Sequence, residues 1–171
     1  MVAPSLAEPL DLVDEHNRVV GRVDRSEVHG QPRLAHRAVH VFVRNRRGDL
    51  YLQHRSLTKE VAPGLWDTSV GGHVDAGESY LRAACRELNE ELGLQVAAEQ
   101  LQLLHHYVWR TAIETEHVRT FATVHEGPFV LHPEEIDEGR FWTLPQLRGA
   151  VGGAELTPNL EHELSLLGLY D

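Results

Sequence analysis

The sequence predicts an α/β fold in which a mixed β-sheet carries helices on its faces. Strand-like segments come first in the chain, a helical pattern lies near its middle, and more strands and a closing helix follow. No repeat or linker interrupts these 171 residues, which are enough to bury one hydrophobic core. We therefore predict a single domain spanning residues 1–171.

The N-terminal part is predicted to form two hairpins and a short strand. The turn residues His16-Asn17-Arg18 place the first hairpin at about residues 10–24, and Val39, Val41 and Val43 alternate along the second. A short helix is expected between the hairpins. The predicted ranges are Leu10–Asp14, Val19–Asp24, a helix at Arg25–His29, His36–Arg44, Asp49–Arg55 after a turn at Asn45–Gly48, and Trp66–Val70.

A central helix is predicted over Ser79–Leu92, which lacks proline and glycine and is rich in Leu, Ala, Glu and Arg. Gly93 stands where a helix commonly ends with a residue at positive φ. One apolar stripe at the spacing i, i+4, i+7 and i+11 is expected to face the core. It consists of Leu81, Cys85, Leu88 and Leu92, so Cys85 is expected to be a buried structural thiol.

Three glutamates of this helix are expected to lie together on another face. Glu87, Glu90 and Glu91 follow the spacing i, i+3 and i+4, and three like charges so placed repel one another. Mg²⁺ or Mn²⁺ would turn that repulsion into coordination, because hard divalent cations prefer oxygen ligands. A solvated acidic surface is the simpler reading of the helix alone. The preceding Gly71-Gly72 pair favours a ligand site, because glycine lets the backbone approach a ligand closely.

Further strands and two closing helices are predicted after the central helix. Strand-like runs alternate with turn residues, and prolines stand at the start of the last two helical segments. The expected ranges are strands near Leu103–Arg110, His117–His125 and Arg140–Leu144, and helices at Pro145–Ala150 and Pro158–Leu167.

The segment 72–94, GHVDAGESYLRAACRELNEELGL, matches the pattern G-x5-E-x7-R-E-U-x-E-E-x-G-U, in which U is a bulky aliphatic residue. The chain therefore resembles the Nudix hydrolases, with residues 71–94 as the catalytic loop and helix. The resemblance implies an α/β/α sandwich. It also implies that the Gly72 carbonyl joins Glu87, Glu90 and Glu91 in holding metal, and that Arg86 orients the helix by pairing with Glu78.

From His29 to Glu116 the chain is also similar to the type I isopentenyl diphosphate isomerases within this superfamily. Those enzymes carry a catalytic cysteine where this chain has Gly71, in the segment Trp66-Asp67-Thr68-Ser69-Val70-Gly71-Gly72-His73. Moving a double bond requires both protonation and deprotonation, and without the thiol one of the two groups is missing. The complete glutamate pattern also differs from the degraded version in the isomerases. Isomerisation is therefore the less favoured activity.

The isomerase resemblance implies further site residues. A second metal, with Mn²⁺ or Zn²⁺ favoured by imidazole, would be held by three histidines and two glutamates. Chance spacing among 12 histidines is the alternative explanation. The base that activates water is expected to be one of the two downstream glutamates or a glutamate of the helix. Two basic side chains match positions at which the isomerases bind diphosphate, and the alternative is that they are ordinary surface charges. These residues are His29, His36, His73, Glu114 and Glu116 for metal, Glu114 or Glu116 for the base, and Arg55 and Lys59 for diphosphate.

The sequence thus predicts Mg²⁺-assisted cleavage of a phosphoanhydride in nucleoside di- or triphosphates, with a nucleotide sugar or dinucleoside polyphosphate as the near alternative. An isomerase without its cysteine, a non-catalytic nucleotide-binding module and a general phosphatase remain open. Oligomeric state is left open as well. The aromatic residues available to stack on a base are Trp66, Tyr107, Trp109, Phe121 and Trp142, each of which more often belongs to a core.

Composition bounds the partners and the compartment. A net charge of −10 argues against a nucleic-acid polymer as partner, whereas bound metal would permit a phosphorylated small molecule. A single cysteine suits a reducing compartment. No segment is apolar enough to span a membrane, and MVAPSLAEPL lacks the features of a signal peptide. A cytoplasmic protein without membrane attachment is expected.

Overall fold

A mixed sheet of seven strands forms the centre of the computed structural model, which describes residues 7–169. The N-terminal segment MVAPSLAEPL, which is predicted not to be a signal peptide, therefore lies mostly outside the described residues. A separate two-stranded sheet precedes the larger one. In chain order the elements are β1 (Pro9–Val13), β2 (Val19–Asp24), β3 (His36–Arg44), β4 (Leu50–Arg55), β5 (Trp66–Asp67), β6 (Val70–His73), α1 (Tyr80–Leu92), β7 (Gln102–Arg110), β8 (Thr115–Val124), β9 (Ile136–Trp142), α2 (Leu144–Ala150) and α3 (Pro158–Leu166).

Strand β3 is the hub of the large sheet. It pairs in parallel with β8 and antiparallel with β4 and β6, giving the order β5-β4-β3-β8-β7 with β6 added beside β3 and β9 beside β4. The combination of parallel and antiparallel pairs confirms the predicted mixed sheet. It also brings the Gly71-Gly72 segment of β6 alongside the middle of β3.

The alternation of side chains along β3 separates two hydrophobic layers. Val39, Val41 and Val43 pack in one cluster with residues of α1. Phe42 points to the opposite face, where the cluster includes Leu147 of α2 and residues of α3. Helices therefore cover both faces of the sheet, as the predicted α/β class requires, and α1 and α3 lie on opposite sides of β3.

The predicted strand Trp66–Val70 is wrong as a continuous strand. Residues 66–67 pair with β4, whereas residues 70–73 pair with β3, so the chain changes partner between them. Ser69 occupies the break and is fully buried. Its hydroxyl accepts a hydrogen bond from the Val43 N–H at 2.8 Å and donates to the Tyr51 carbonyl. The serine side chain thus replaces the regular ladder where the glycine segment begins.

The central helix begins and ends where the sequence indicates, but its buried face differs. Ser79 caps the N-terminus and Gly93 has a φ of 66° at the C-terminus. The predicted apolar stripe is wrong at two positions, because Leu81 is exposed and Cys85 only partly buried. The helix instead buries Tyr80, Ala83, Ala84, Glu87, Leu88, Glu91 and Leu92. Two glutamates therefore lie on the core-facing side, which turns the buried arc away from Leu81.

The first hairpin supports the loop that leads into α1. The Ala76 N–H donates to the Pro9 carbonyl at 2.9 Å, and the Gly77 N–H donates to Asp11 Oδ2 at 2.9 Å. The helix predicted at Arg25–His29 is a single 3₁₀ turn at Arg25–Glu27. The strand predicted at Arg140–Leu144 begins four residues earlier, at Ile136, because it pairs along β4. No helix of residues 7–169 is long and apolar enough to cross a bilayer.

Candidate active site

A cleft of about 920 Å³ opens beside the glycine segment of β6. Its walls include residues of β3 and β6, the β7–β8 turn, the loop after β4, the segments before β3 and β9, and the start of α3. Most of the residues predicted to bind metal or phosphate outside the helix line it. They are His29, Arg55, Lys59, Gly72, His73, Glu114 and Glu116.

Gly72 and Glu87 lie so close that a side chain at position 72 would displace the Glu87 carboxylate. A Cβ atom added there would stand 2.2 Å from the carboxyl carbon of Glu87. The carboxylate is therefore packed directly against the glycine backbone. Burial raises the pKa of Glu87 to about 7, although the neighbouring Arg86 guanidinium opposes the rise.

Glu91 is the second buried carboxylate at this backbone. Its Oε2 accepts hydrogen bonds from the Gln53 amide at 3.1 Å and from the Gly71 N–H at 3.4 Å. Burial, and then the charge of Glu87, raise the pKa of Glu91 to about 8. Burial destabilises the ionised form of both carboxylates, and a divalent cation bound between them would compensate their negative charges. Glu90 is more exposed, with 52% of its side chain accessible.

Arg86 binds the helix to the loop before it. Its guanidinium donates to both oxygens of Glu78 at 3.0 and 2.9 Å, to the His73 carbonyl at 2.9 Å and to Glu87 at 2.7 Å. It reaches Glu90 at 3.4 Å. Burial raises the pKa of Glu78, but the bond to Arg86 outweighs it and holds that pKa below its usual value. The Arg86–Glu78 pair implied by the resemblance is thus present.

His36, His73 and Glu116 form a second cluster whose potential ligand atoms lie within 4.8 Å of one another. The Nε2 atoms of His36 and His73 stand 3.4 and 3.5 Å from the same oxygen of Glu116. Neither Nε2 of His36 nor Nδ1 of His73 has a hydrogen-bond partner among the described residues, although both atoms are buried. A carboxylate oxygen between two imidazoles, with orphaned ring nitrogens, fits a transition-metal site.

The other two predicted ligands of this cluster lie further out. His29 is exposed, and its ring centroid is 6.2 Å from that of His73. Glu114 lines the cleft beside Glu116. Burial and the charge of Glu116 raise the pKa of Glu114 to about 7, whereas the two imidazoles hold the pKa of Glu116 far below its usual range despite burial.

Both predicted diphosphate-binding cations line the cleft and are already paired with acidic neighbours. Arg55 donates to Asp67 at 3.2 Å and to the Val61 carbonyl at 3.0 Å. Lys59 forms a short ion pair with Glu135. Their charges are therefore partly compensated within the protein.

Among the five aromatic candidates for base stacking, only Trp109 lines the cleft. Phe121 and Trp142 are buried in the two hydrophobic clusters, and Trp66 packs edge-on against Trp142. Phe121 and Trp142 are therefore core residues, and Trp66 is a partly buried residue that packs against that core. The Tyr107 hydroxyl is held by Asn159 and by a buried glutamate that sequence reasoning missed.

That glutamate is Glu163 of α3, which joins a polar network behind the cleft. It bonds His40 of β3, and the two residues are 123 positions apart in the chain. Gln53 was missed as well. No periodicity or motif marks these residues, because their roles depend on contacts between distant segments.

Comparison with known proteins identifies the family to which this chain belongs. The family model described as the NUDIX domain matches residues 34–160. An uncharacterized Nudix hydrolase of Yersinia pestis is 38% identical, with 95% of this chain and 86% of the relative covered. Isopentenyl-diphosphate Delta-isomerase 2 of Photorhabdus laumondii is 31% identical over 86% of this chain and 84% of its own length. The crystal structure of DR0079 from Deinococcus radiodurans has a TM-score of 0.76 at 27% identity, with 96% of this chain and 100% of that chain covered. The chain belongs to the Nudix family.

Proposed function

We propose that this protein is a Mg²⁺-dependent pyrophosphohydrolase that cleaves a phosphoanhydride bond of nucleoside di- or triphosphates by attack of water. The observation that carries the proposal is the packing of two buried carboxylates, Glu87 and Glu91, against the Gly71-Gly72 backbone at the cleft. That arrangement costs stability by itself, and a bound cation would offset the cost.

The Gly72 carbonyl and the carboxylates of Glu87, Glu90 and Glu91 would hold the metal. When bound, Mg²⁺ would neutralise charge on the phosphates and lower the pKa of the attacking water. Arg86 positions this set, because it bonds the loop carbonyl of His73 and Glu87 at once. Mn²⁺ is expected to substitute.

Glu114 is the favoured general base of the two downstream glutamates. Its pKa near 7 suits a group that accepts a proton at neutral pH, and it lines the cleft. Glu116 is held between two imidazoles, which makes it a weaker acceptor. Parallel Glu114→Gln and Glu116→Gln variants would separate the two assignments.

The composition bears on both the substrate and the compartment. A net charge of −10 disfavours a nucleic-acid polymer and so favours a small substrate. The single cysteine suits the cytoplasm. The isomerase activity named for the Photorhabdus relative is a weaker candidate here, because Gly71 supplies no thiol.

The test is incubation with Mg²⁺ and a panel of nucleoside di- and triphosphates, nucleotide sugars and isopentenyl diphosphate, followed by ³¹P NMR. Nucleoside monophosphate is expected as a product. Glu90→Gln and Glu91→Gln should each lower kcat by roughly 10²–10⁵, given the several kcal/mol that a metal supplies. Glu99→Gln is a matched control, because Glu99 is exposed and lies outside the cleft. Turnover unaffected in both helix variants, or no hydrolysis of any compound by the wild type, would refute the proposal.

A further inference from the structure

The network behind the cleft centres on Glu163, whose side chain is completely buried. A carboxylate only accepts hydrogen bonds, so each polar neighbour must donate to it. Burial raises the pKa of Glu163, but the charge of His40 and the surrounding donors outweigh burial and lower it to about 2, which keeps the group ionised. The donors are His40 Nδ1 at 2.6 Å, the Tyr107 hydroxyl at 2.7 Å, the Thr120 hydroxyl at 2.9 Å and His105 Nε2 at 3.0 Å.

His40 differs from the other three donors because it also lines the cleft. Its Nδ1–H is used by Glu163, which leaves Nε2 at the far edge of the ring. That edge faces Gly71: a Cβ atom added to Gly71 would stand 3.2 Å from His40 Cδ2 and 3.5 Å from Nε2. The two residues are also paired across β3 and β6. Gly71 therefore leaves the imidazole edge open to the cleft.

The setting of His40 favours the doubly protonated imidazolium. Burial lowers the pKa of His40, but the ionised Glu163 and its hydrogen bond more than reverse this and raise it to about 9, with Asp67 and Glu116 adding to the rise. In that form Nε2 is a charged donor. The cleft cations Arg55 and Lys59 are already paired with acidic side chains on the cleft wall, whereas the counter-ion of His40 lies behind it in the interior. The open edge of His40 thus suits an anionic oxygen.

We propose that His40, held in place by Glu163, is a substrate-binding residue whose Nε2–H donates to a phosphate oxygen of the nucleotide. This assignment rests on the proposed function, because it names a contact to the diphosphate that the cleft is proposed to bind. It accounts for three observations together: a histidine that lines the cleft, a buried carboxylate that binds its Nδ1–H and favours its charged form, and a glycine that leaves its ring uncovered.

The direct test compares His40→Gln with His105→Gln. Both histidines donate to Glu163, but of the two only His40 lines the cleft. Methylenediphosphonate, a non-hydrolysable diphosphate, is titrated into each variant by calorimetry in the presence of Mg²⁺. Loss of a charged hydrogen bond should raise its Kd roughly 10- to 100-fold in His40→Gln and by less than about threefold in His105→Gln. Equal Kd values in folded His40→Gln and wild type would overturn the assignment.

A second measurement needs no variant and guards against a His40→Gln protein that fails to fold. In ¹⁵N-histidine-labelled wild type, the Nε2 resonance of His40 should shift on saturation with methylenediphosphonate and Mg²⁺. An unchanged resonance at saturation would overturn the assignment. The outcomes are separable from those of the proposed function: hydrolysis with a silent His40 refutes only the contact, and a shifted His40 without hydrolysis of any nucleotide refutes only the activity.

Discussion

Replacing Glu91 by glutamine should stabilise the metal-free protein at alkaline pH while lowering its kcat by roughly 10²–10⁵. A structural residue would lose both properties together. The opposite signs follow from the position of Glu91, which is buried beside Glu87 and receives two hydrogen bonds from the described residues, from Gln53 and Gly71. Glutamine keeps the shape and an acceptor oxygen but removes the charge.

The magnitude follows from the pKa of Glu91, which burial and the charge of Glu87 raise from 4.5 to about 8. The unfolded chain loses this proton near pH 4.5, whereas the folded protein holds it until about pH 8. The folded state therefore binds more protons in that window, and stability falls as pH rises through it. Integrated from pH 5 to pH 8, the loss attributable to Glu91 is about 3 kcal/mol, and the glutamine variant lacks it.

The assay is urea unfolding in EDTA at pH 5 and pH 8 for wild type, Glu91→Gln and Glu90→Gln. Relative to wild type, Glu91→Gln should gain about 3 kcal/mol between the two pH values. Glu90→Gln removes an exposed charge on the same helix and should change stability by less than about 0.5 kcal/mol. Added Mg²⁺ should stabilise the wild type at pH 8 and not Glu91→Gln. A difference between Glu91→Gln and wild type that is the same at both pH values would refute the reasoning.

Two further substitutions probe the neighbouring clusters. Gly72→Ala should displace the Glu87 carboxylate, because the added Cβ would stand 2.2 Å from the carboxyl carbon. We expect kcat/KM to fall about 100-fold or more and the Mg²⁺ concentration required for activity to rise. Normal activation by Mg²⁺ would contradict this prediction. Zn²⁺ or Mn²⁺ is expected to raise the Tm of the wild type, because a ligand at 100 times its Kd stabilises the folded state by about 2.7 kcal/mol. His73→Ala should abolish that rise, because His73 is one of the three clustered residues. The exposed His106→Ala is the control, and equal Zn²⁺ and Mn²⁺ responses in wild type and His73→Ala would exclude the site.

The geometry of the loop and helix can be predicted from one short segment, whereas the His36, His73 and Glu116 cluster is predicted only through the family resemblance. Glu78, Arg86 and Glu87 lie within ten residues, so loop and helix geometry alone brings them together. The helix limits are equally local, because Ser79 supplies the cap and Gly93 the left-handed residue. Such features need no knowledge of the rest of the fold.

The orientation of α1 was harder to predict, because the spacing of apolar residues assumes that glutamates avoid the core. Leu81 and Cys85 have the spacing of an apolar stripe in the sequence. In the structure the helix is rotated so that Glu87 and Glu91 face the glycine segment instead. A site that buries charge violates the pattern from which burial is inferred. The error in the stripe therefore lies beside the proposed metal site.

Contacts between distant segments set the remaining part of the cleft. His40 is a polar residue between two valines of β3, and Glu163 lies on a short helix whose sequence contains no recognisable motif. Only the docking of α3 on the face of β3 opposite α1 joins them, 123 residues apart. Because α1 and α3 cover opposite faces of β3, the Glu87 and Glu91 carboxylates lie on one side of the strand and the Glu163 carboxylate that holds His40 lies on the other.

This two-sided construction also explains why position 71 distinguishes the chain from the isomerases it resembles. A side chain at Gly71 would project toward the His40 ring, within 3.2 Å at its first carbon, and would cover the imidazole edge. A thiol there would supply proton-transfer chemistry at the expense of that edge, whereas glycine exposes a donor suited to phosphate oxygens. Gly71 and His40 line the cleft, Glu87 and Glu91 lie against the adjoining glycine backbone, and position 71 lacks the thiol that the isomerases carry.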